Sequence, residues 1–279
     1  MLAELHCHTT HSRGTKILYE GLNTTEQMVR HAKKIGMGAI AITDHNTTNG
    51  CHGLKRLSKK YGIVVIPGEE ISTKAGHVLA LGIEEEIPPR LSLDETLYRI
   101  KKQGGISVAA HPFDIRRKGA GTLAIKCDAL EVFNSINLER ITNWKCHRFA
   151  KKYNKPVTAG SDAHCISMLG HGVTSIQADN DIDSILKAIK NGKTNTIEIY
   201  TPSKIIMEWS IKRLKLSYAY VIRYMNRNYS WPKRAVGEKL LGLAEKSPGN
   251  IDYLFRVIAY LSLGSAMVYS AVRTVLGVK

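Results

Sequence analysis

Histidine and carboxylate residues recur in this chain beside short apolar runs. His6 and His8 flank Cys7. In an extended strand residues i and i+2 point the same way, so both imidazoles reach one ion while Cys7 faces away. Thr43-Asp44-His45 follows one apolar run and Pro67-Gly68-Glu69-Glu70 follows the next. His77 opens a further run and His111-Pro112 closes another. Asp162 and His164, in Gly160-Ser161-Asp162-Ala163-His164, repeat the i, i+2 spacing. A single histidine of this kind is usually a core or surface residue, so the signal is the repetition at run ends. Imidazole and carboxylate donors without thiolate suit Zn²⁺, Mn²⁺ or Fe. The set exceeds what one ion takes, which implies two or three ions bridged by carboxylate or solvent. Ions a few ångströms apart clamp phosphoryl oxygens and lower the pKa of a bound water.

The elements that must position these residues alternate. Strands are expected at Leu2–Cys7, Ala39–Thr43, Ile63–Pro67, His77–Gly82, Ile106–Ala110, Ala129–Phe133 and Val157–Gly160, with β-branched residues such as Ile40, Ile42 and Val64. Amphipathic helices are expected from Thr24 to Lys34, over Ser92–Gln103 and over Leu138–Tyr153. Such alternation implies an α/β fold on a mostly parallel sheet, either a closed barrel or an open doubly wound sheet. Parallel barrels carry their sites at the C-terminal strand ends, where the residues above fall. No GxGxxG or GxxxxGK[ST] motif recommends the open sheet. After Thr201-Pro202 the pattern changes to long helical stretches near Ser203–Asn226, Pro232–Lys246 and Asn250–Thr274. Two regions follow: residues 1–200 and a basic helical extension, 201–279.

The sequence resembles the PHP (polymerase and histidinol phosphatase) metal-dependent phosphoesterases. The stretches that carry the resemblance are Glu4-Leu5-His6-Cys7-His8-Thr9, Ile42-Thr43-Asp44-His45, Pro67-Gly68-Glu69-Glu70-Ile71-Ser72, His77-Val78-Leu79-Ala80-Leu81-Gly82, Ala110-His111-Pro112 and Gly160-Ser161-Asp162-Ala163-His164. They occur in the family's order over about residues 2–180. The resemblance implies a distorted (β/α)7 TIM-like barrel with a trinuclear site and hydrolysis of phosphate esters. It implies that His6, His8 and Asp162 bind the first metal and that Glu70 bridges first and second. His77 and His111 would complete the second metal, and His45 and His164 would hold the third. Turnover is then expected to depend on Glu70, His111 and Asp162.

One position departs from the family. An aspartate ligand to the third metal usually stands five residues after the second histidine of His-x-His, and here that residue is Arg13. Arginine does not ligate cations, but its planar fork suits phosphate. Either the site holds two metals with Arg13 as a substrate clamp, or Glu20 or His11 takes the place of the aspartate. Arg116 and Arg117, with Lys118, are further candidates for phosphate binding.

Charge agrees with a phosphate-bearing partner. Lys and Arg total 40 against 24 Asp and Glu, a formal net charge of +16. Residues 201–279 hold 13 basic and 4 acidic residues, a net of +9 that leaves +7 for the rest. In the extension, basic residues interleave with Trp209, Tyr218, Tyr224 and Trp231, which fits a nucleic-acid or anionic-lipid face or a solvated helix surface with inward aromatics. Arg256 and Arg273 bracket 16 uncharged residues, short of the ~20 that a spanning helix wants. Five dispersed cysteines and an N-terminus without an apolar leader point to a reducing cytoplasm, with peripheral membrane contact through the extension as an added option. The expected substrate is a phosphomonoester such as histidinol phosphate or a nucleotide, or a nucleic-acid end. The alternative is a non-catalytic, basic nucleic-acid-binding scaffold on the same fold.

Overall fold

The computed structural model describes residues 1–14, 17–114, 118–137 and 139–246, and scattered positions between 253 and 276. Strands are β1 (Leu2–Glu4), β2 (Ala39–Ile42), β3 (Val64–Ser72), β4 (His77–Leu81), β5 (Ile106–Ala109), β6 (Ala129–Asn134), β7 (Val157–Gly160), β8 (Gly172–Ile176) and β9 (Thr194–Glu198). Helices are α1 (Thr25–Lys34), α2 (Leu54–Tyr61), α3 (Leu93–Lys102), α4 (Ile141–Lys152), α5 (Ile182–Lys190), α6 (Ser203–Leu216), α7 (Tyr218–Asn228) and α8 (Trp231–Lys246). The strands form one sheet in the order β7-β6-β5-β4-β3-β2-β1-β8-β9. Thr174 on β8 bonds the backbone of Ala159 on β7 in both directions, and Thr194 Oγ1 donates to the Val157 carbonyl. These bonds draw the two ends of the sheet together into a nearly closed barrel.

The α/β barrel agrees with the expectation; its strand directions are more mixed. β1–β2, β2–β3, β5–β6 and β6–β7 pair in parallel, but β4 runs antiparallel to both neighbours and β8 to β1 and β9. The β3–β4 connection, Thr73–Gly76, is too short for a crossover helix, so the chain turns back as a hairpin. That reversal is functional. It places the first residue of β4, His77, beside Ser72 at the C-terminal end of β3.

Ala3, Leu5, Ala39, Ile66, Leu79, Leu81, Val108 and Ile176 fill one core with Ile185, Leu186 and Ile189 of α5, which closes one mouth of the barrel. Histidines and carboxylates occupy the other mouth. The long predicted helix Ser203–Asn226 is two helices, broken at Ser217. That residue is buried, and its Oγ accepts the backbone N–H of Tyr19 from the loop after β1. α6 packs Ile205, Ile206 and Trp209 on the core shared by α1, α2 and β2. Among the described residues no helix is long and apolar enough to cross a membrane. Arg256 and Arg273, which bracket the uncharged run, lie outside the described residues.

Candidate metal centre

Six loops and strand ends deliver the side chains. His6 and His8 follow β1, His45 follows β2, Glu70 lies in β3, His77 opens β4, His111 follows β5, and Asp162 and His164 follow β7. His111 and Asp162 hold backbone φ of +31° and +49°, conformations that a side chain rarely adopts and that cost about 1–3 kcal/mol each. Both sit where a strand must turn sharply to aim its side chain inward.

Glu70 is the hub. Its Oε1 lies 2.6 Å from His77 Nδ1 and 3.1 Å from His111 Nε2. Its Oε2 lies 2.7 Å from His45 Nδ1, 3.4 Å from His8 Nε2 and 3.5 Å from His6 Nε2. Asp162 Oδ1 stands 3.1 Å from His8 Nε2 and 3.5 Å from His6 Nε2. Four triads have ligand atoms close enough to share an ion: His6–His8–Glu70, His6–His111–Asp162, His45–Glu70–His77 and His8–His45–His164. All eight side chains named for metal in the sequence are therefore brought to one cluster.

The electrostatics are those of a site built around cations. Burial would raise the Glu70 and Asp162 carboxyls, but neighbouring histidines, His45 foremost for Glu70 and His6 for Asp162, hold both well below the ordinary range. Burial opposes charge on His45, yet Glu70 and Glu20 lift its pKa to about 10. His164 is pushed down to about 3 by burial and then by His8, which leaves its imidazole neutral. His6 Nε2, Glu70 Oε2 and His111 Nδ1 are buried without a hydrogen-bond partner. Orphaned buried polar atoms are costly, and His6 Nε2, 3.5 Å from Glu70 Oε2 at the hub, is one that a bound cation would satisfy.

Behind the cluster stands a supporting layer that spacing alone does not reveal. Glu131 Oε1 lies 2.8 Å from His6 Nδ1, while its Oε2 accepts the His111 N–H at 2.8 Å and an Asn134 amide N–H at 3.1 Å. A carboxylate surrounded by donors keeps the shared proton on His6 Nδ1, so Nε2 faces the cluster as a lone pair. His164 is fixed in the same way by the Asp162 carbonyl, 2.7 Å from its Nδ1, and Ser12 Oγ holds His8 Nδ1 at 3.0 Å. Gly160 belongs to this layer because a Cβ there would fall 2.2 Å from Glu131 Oε1 and 2.6 Å from His6 Cβ. Cys7 does face away, its thiol donating to the Ala41 carbonyl. Asp44 braces the loop after β1, accepting from Thr9 N–H and Thr9 Oγ1 at 2.6 and 2.7 Å.

Of the arginines predicted for substrate, one is described. Arg13 is exposed, its guanidinium 5.9 Å from the Tyr19 ring centroid. Arg116 and Arg117 lie outside the described residues. His11 is exposed as well, whereas Glu20 Oε2 stands 3.2 Å from His45 Nε2. The cue for Glu20 is the loop length, which lets the chain return to the rim after passing Arg13.

A family profile described as PHP-associated matches residues 140–194. An uncharacterized protein of Methanocaldococcus jannaschii is 37% identical over 149 residues, which cover 51% of this chain and 87% of that protein. The chain belongs to the PHP family. A second relative, a phosphoribosyl 1,2-cyclic phosphate 1,2-diphosphodiesterase of Eggerthella lenta, is 32% identical over 33% of this chain and 35% of its own. The solved structure of PsfC from Pseudomonas syringae shares the fold, with a TM-score of 0.55 and 18% identity over 77% of this chain and 98% of PsfC. The PHP profile begins at Arg140, beside α4, so it spans the β7 rim carrying Asp162 and His164 and the strands that close the barrel. The donor set fits the divalent ions that a PHP phosphoesterase requires, being imidazole and carboxylate with every thiol directed elsewhere.

Proposed function

We propose that the protein hydrolyses phosphate esters at a centre of three divalent ions, Zn²⁺, Mn²⁺ or Fe, on the rim of the barrel of residues 1–200. The observation that carries this reading is the Glu70 hub, where the orphaned His6 Nε2 faces Glu70 Oε2 at 3.5 Å and His111 Nε2 lies 3.1 Å from Glu70 Oε1. His6, His8 and Asp162 would hold one ion, His77 and His111 a second, with Glu70 shared between them. His45, His164 and Glu20 would hold the third, Glu20 standing in for the aspartate that Arg13 displaces. Ions held there supply positive charge to phosphoryl oxygens and acidify water. The chain itself does the aligning. Glu131, Ser12 and the Asp162 carbonyl fix which imidazole nitrogen faces inward, and the turns at His111 and Asp162 set the angles. The expected substrate is a phosphorylated small molecule or nucleotide, in keeping with the cyclic-phosphate relative; a nucleic-acid end has the same reacting group.

The test is turnover of a generic phosphomonoester by protein loaded with Mn²⁺ or Zn²⁺. Glu70→Gln and His111→Ala should each lower the rate by at least ~100-fold and reduce metal content. Undiminished turnover in both variants would exclude this centre as the site of hydrolysis.

A further inference from the structure

Helix α4 carries a line of exposed basic and aromatic side chains that starts at the rim of the barrel. Its first turn is tied to the metal centre. Asn143 bonds the backbone of Asn134 in both directions, and Asn134 Nδ2 donates to Asp162 Oδ2 at 3.3 Å. Arg140 stands exposed just before the helix, its guanidinium 4.9 Å from the Tyr200 ring centroid. One turn on, Trp144 is 50% exposed, and the exposed Arg148 lies 4.8 Å from its ring centroid. One turn further, Lys152 lies 5.2 Å from the ring centroid of Tyr153, itself exposed. Arg140, Trp144, Arg148 and Lys152 are spaced four apart, so they share one side of the helix. At about 1.5 Å per residue the line runs about 18 Å away from the rim. That is the length of about five stacked nucleotides at about 3.4 Å each.

The charge on this side is uncompensated. α4 holds four Lys or Arg residues and no Asp or Glu. Elsewhere on the barrel surface basic side chains are paired, Lys60 with Glu26, Arg99 with Glu95 and Lys190 with Asp128. Beside α4, Glu198 pairs with His147 at 2.8 Å, and among the described residues Arg140, Arg148, Lys151 and Lys152 form no ion pair. A run of charge alone is a solvated surface, but here the cations lie on rings that face water. A nucleic-acid strand uses both features: its phosphates meet the cations and its bases stack on the rings. A duplex keeps its bases inside, so the matching partner is a single strand. α4 already buries Cys146 and Ala150 in the barrel core, which leaves it no second apolar face for a bilayer.

We propose that the outer side of α4 is a track for single-stranded nucleic acid, and that it leads the end of the strand to the metal centre. The inference rests on the phosphoesterase reading above for the reaction at that end. It narrows the substrate from a phosphate ester in general to the end of a polynucleotide. It also gives part of the positive charge of residues 1–200 a partner.

The experiment follows the fluorescence anisotropy of a labelled single-stranded oligothymidylate about ten nucleotides long, titrated with the Mn²⁺-loaded full chain. Phosphorothioate linkages keep its charge and resist hydrolysis. Wild type is compared with Trp144→Ala, Arg148→Gln and a control, Tyr98→Ala, which removes a 62% exposed ring from α3. Trp144→Ala should raise the Kd about 5- to 100-fold. Arg148→Gln should raise it as well and lessen the slope of log affinity against log salt by about 0.7. Tyr98→Ala should leave both unchanged. If Trp144→Ala does not fold, Arg148→Gln carries the test through its salt slope. An unchanged Kd in either folded variant overturns the proposal, and so does equal affinity for a duplex of the same length. Phosphatidylserine vesicles that bind through Trp144 while the strand does not would overturn it in favour of a membrane. A wild-type dimer that Trp144→Ala dissociates would overturn it in favour of a second copy. Binding is read without turnover. A strand held through Trp144 by a protein that hydrolyses no phosphate ester refutes the phosphoesterase reading and leaves the track standing; turnover of a small phosphomonoester without strand binding does the reverse.

Discussion

His6 Nδ1 and Glu131 Oε1 lie 2.8 Å apart in a fully buried pair, and the second oxygen of Glu131 ties the same carboxylate to the backbone of His111. One carboxylate that binds no candidate ion directly therefore aims a histidine from the first strand and sets the position of another after the fifth. Glu131→Gln keeps the size but turns one acceptor into a donor. The new amide meets either His6 Nδ1–H or His111 N–H, so one of the two ligands is displaced. Metal affinity should fall by about 10- to 100-fold, and a calorimetric Mn²⁺ titration measures it. Affinity equal to wild type would mean that His6 needs no such support.

Glu20 and Arg13 separate in a second experiment. Glu20 Oε2 is 3.2 Å from His45 Nε2, while Arg13 stands exposed over Tyr19. Glu20→Ala should lower bound metal by one ion per chain and leave the other ions in place. Arg13→Ala should leave metal content and KM within about twofold of wild type, as expected for an exposed side chain. Elemental analysis of dialysed protein with parallel kinetics decides both; a tenfold rise in KM for Arg13→Ala would restore it as the substrate clamp.

The ligand cluster was legible because a strand end is a fixed address. Apolar runs such as Ala39–Ile42 locate the strands, and a histidine or carboxylate one or two residues later must fall on the rim. His77 was legible in type but not in direction, since only the short β3–β4 hairpin makes a strand's first residue share that rim. Glu131 was hidden because β6 reads as an ordinary buried strand, and its partner is 125 residues away. β9, Thr194–Glu198, was hidden because it is polar and mostly exposed. α5 was not among the expected helices although its signal is present: Asp181 caps it, and Ile182, Ile185, Leu186 and Ile189 follow at helical spacing. Trp209 belongs to a region without motifs, and only the tertiary packing of α6 brings its ring centroid within 4.6 Å of that of His164.

Burial without compensation gives a pH signature elsewhere. Glu69 is fully buried, and desolvation, with Glu86 adding to it, lifts its pKa from 4.5 to about 8 against the single bond from Ile87 N–H. The folded state therefore keeps a proton that the unfolded state releases above pH 4.5. This contribution to stability is full below pH 4.5 and is lost progressively as pH rises toward 8, because the unfolded state then binds fewer protons. Glu69→Gln does not titrate and keeps a carbonyl for Ile87 N–H. Relative to the variant, wild type should lose up to about 1.4 kcal/mol of stability per pH unit across that window. Urea midpoints at pH 5, 6, 7 and 8 for the two proteins test it; parallel curves would place the proton elsewhere.

The extension should also matter to stability, and unevenly. Trp209 is 9% exposed and packs on the core beside α1 and β2, whereas Trp231, at the start of α8, is 72% exposed. Trp209→Ala removes a large buried ring and the bond to the Glu20 carbonyl, so it should destabilise the fold by about 3–5 kcal/mol. Trp231→Ala empties no cavity and should stay within about 0.5 kcal/mol. If α6 were a separate appendage, Trp209→Ala would leave the main unfolding transition of the barrel where it is. If α6 is part of the barrel's core, one cooperative transition shifts as a whole, and chemical denaturation followed by far-UV circular dichroism distinguishes the two. The shift is expected because the indole ring packs on His164 and bonds the Glu20 carbonyl, so removing it unseats the loop of Glu20 together with the helix.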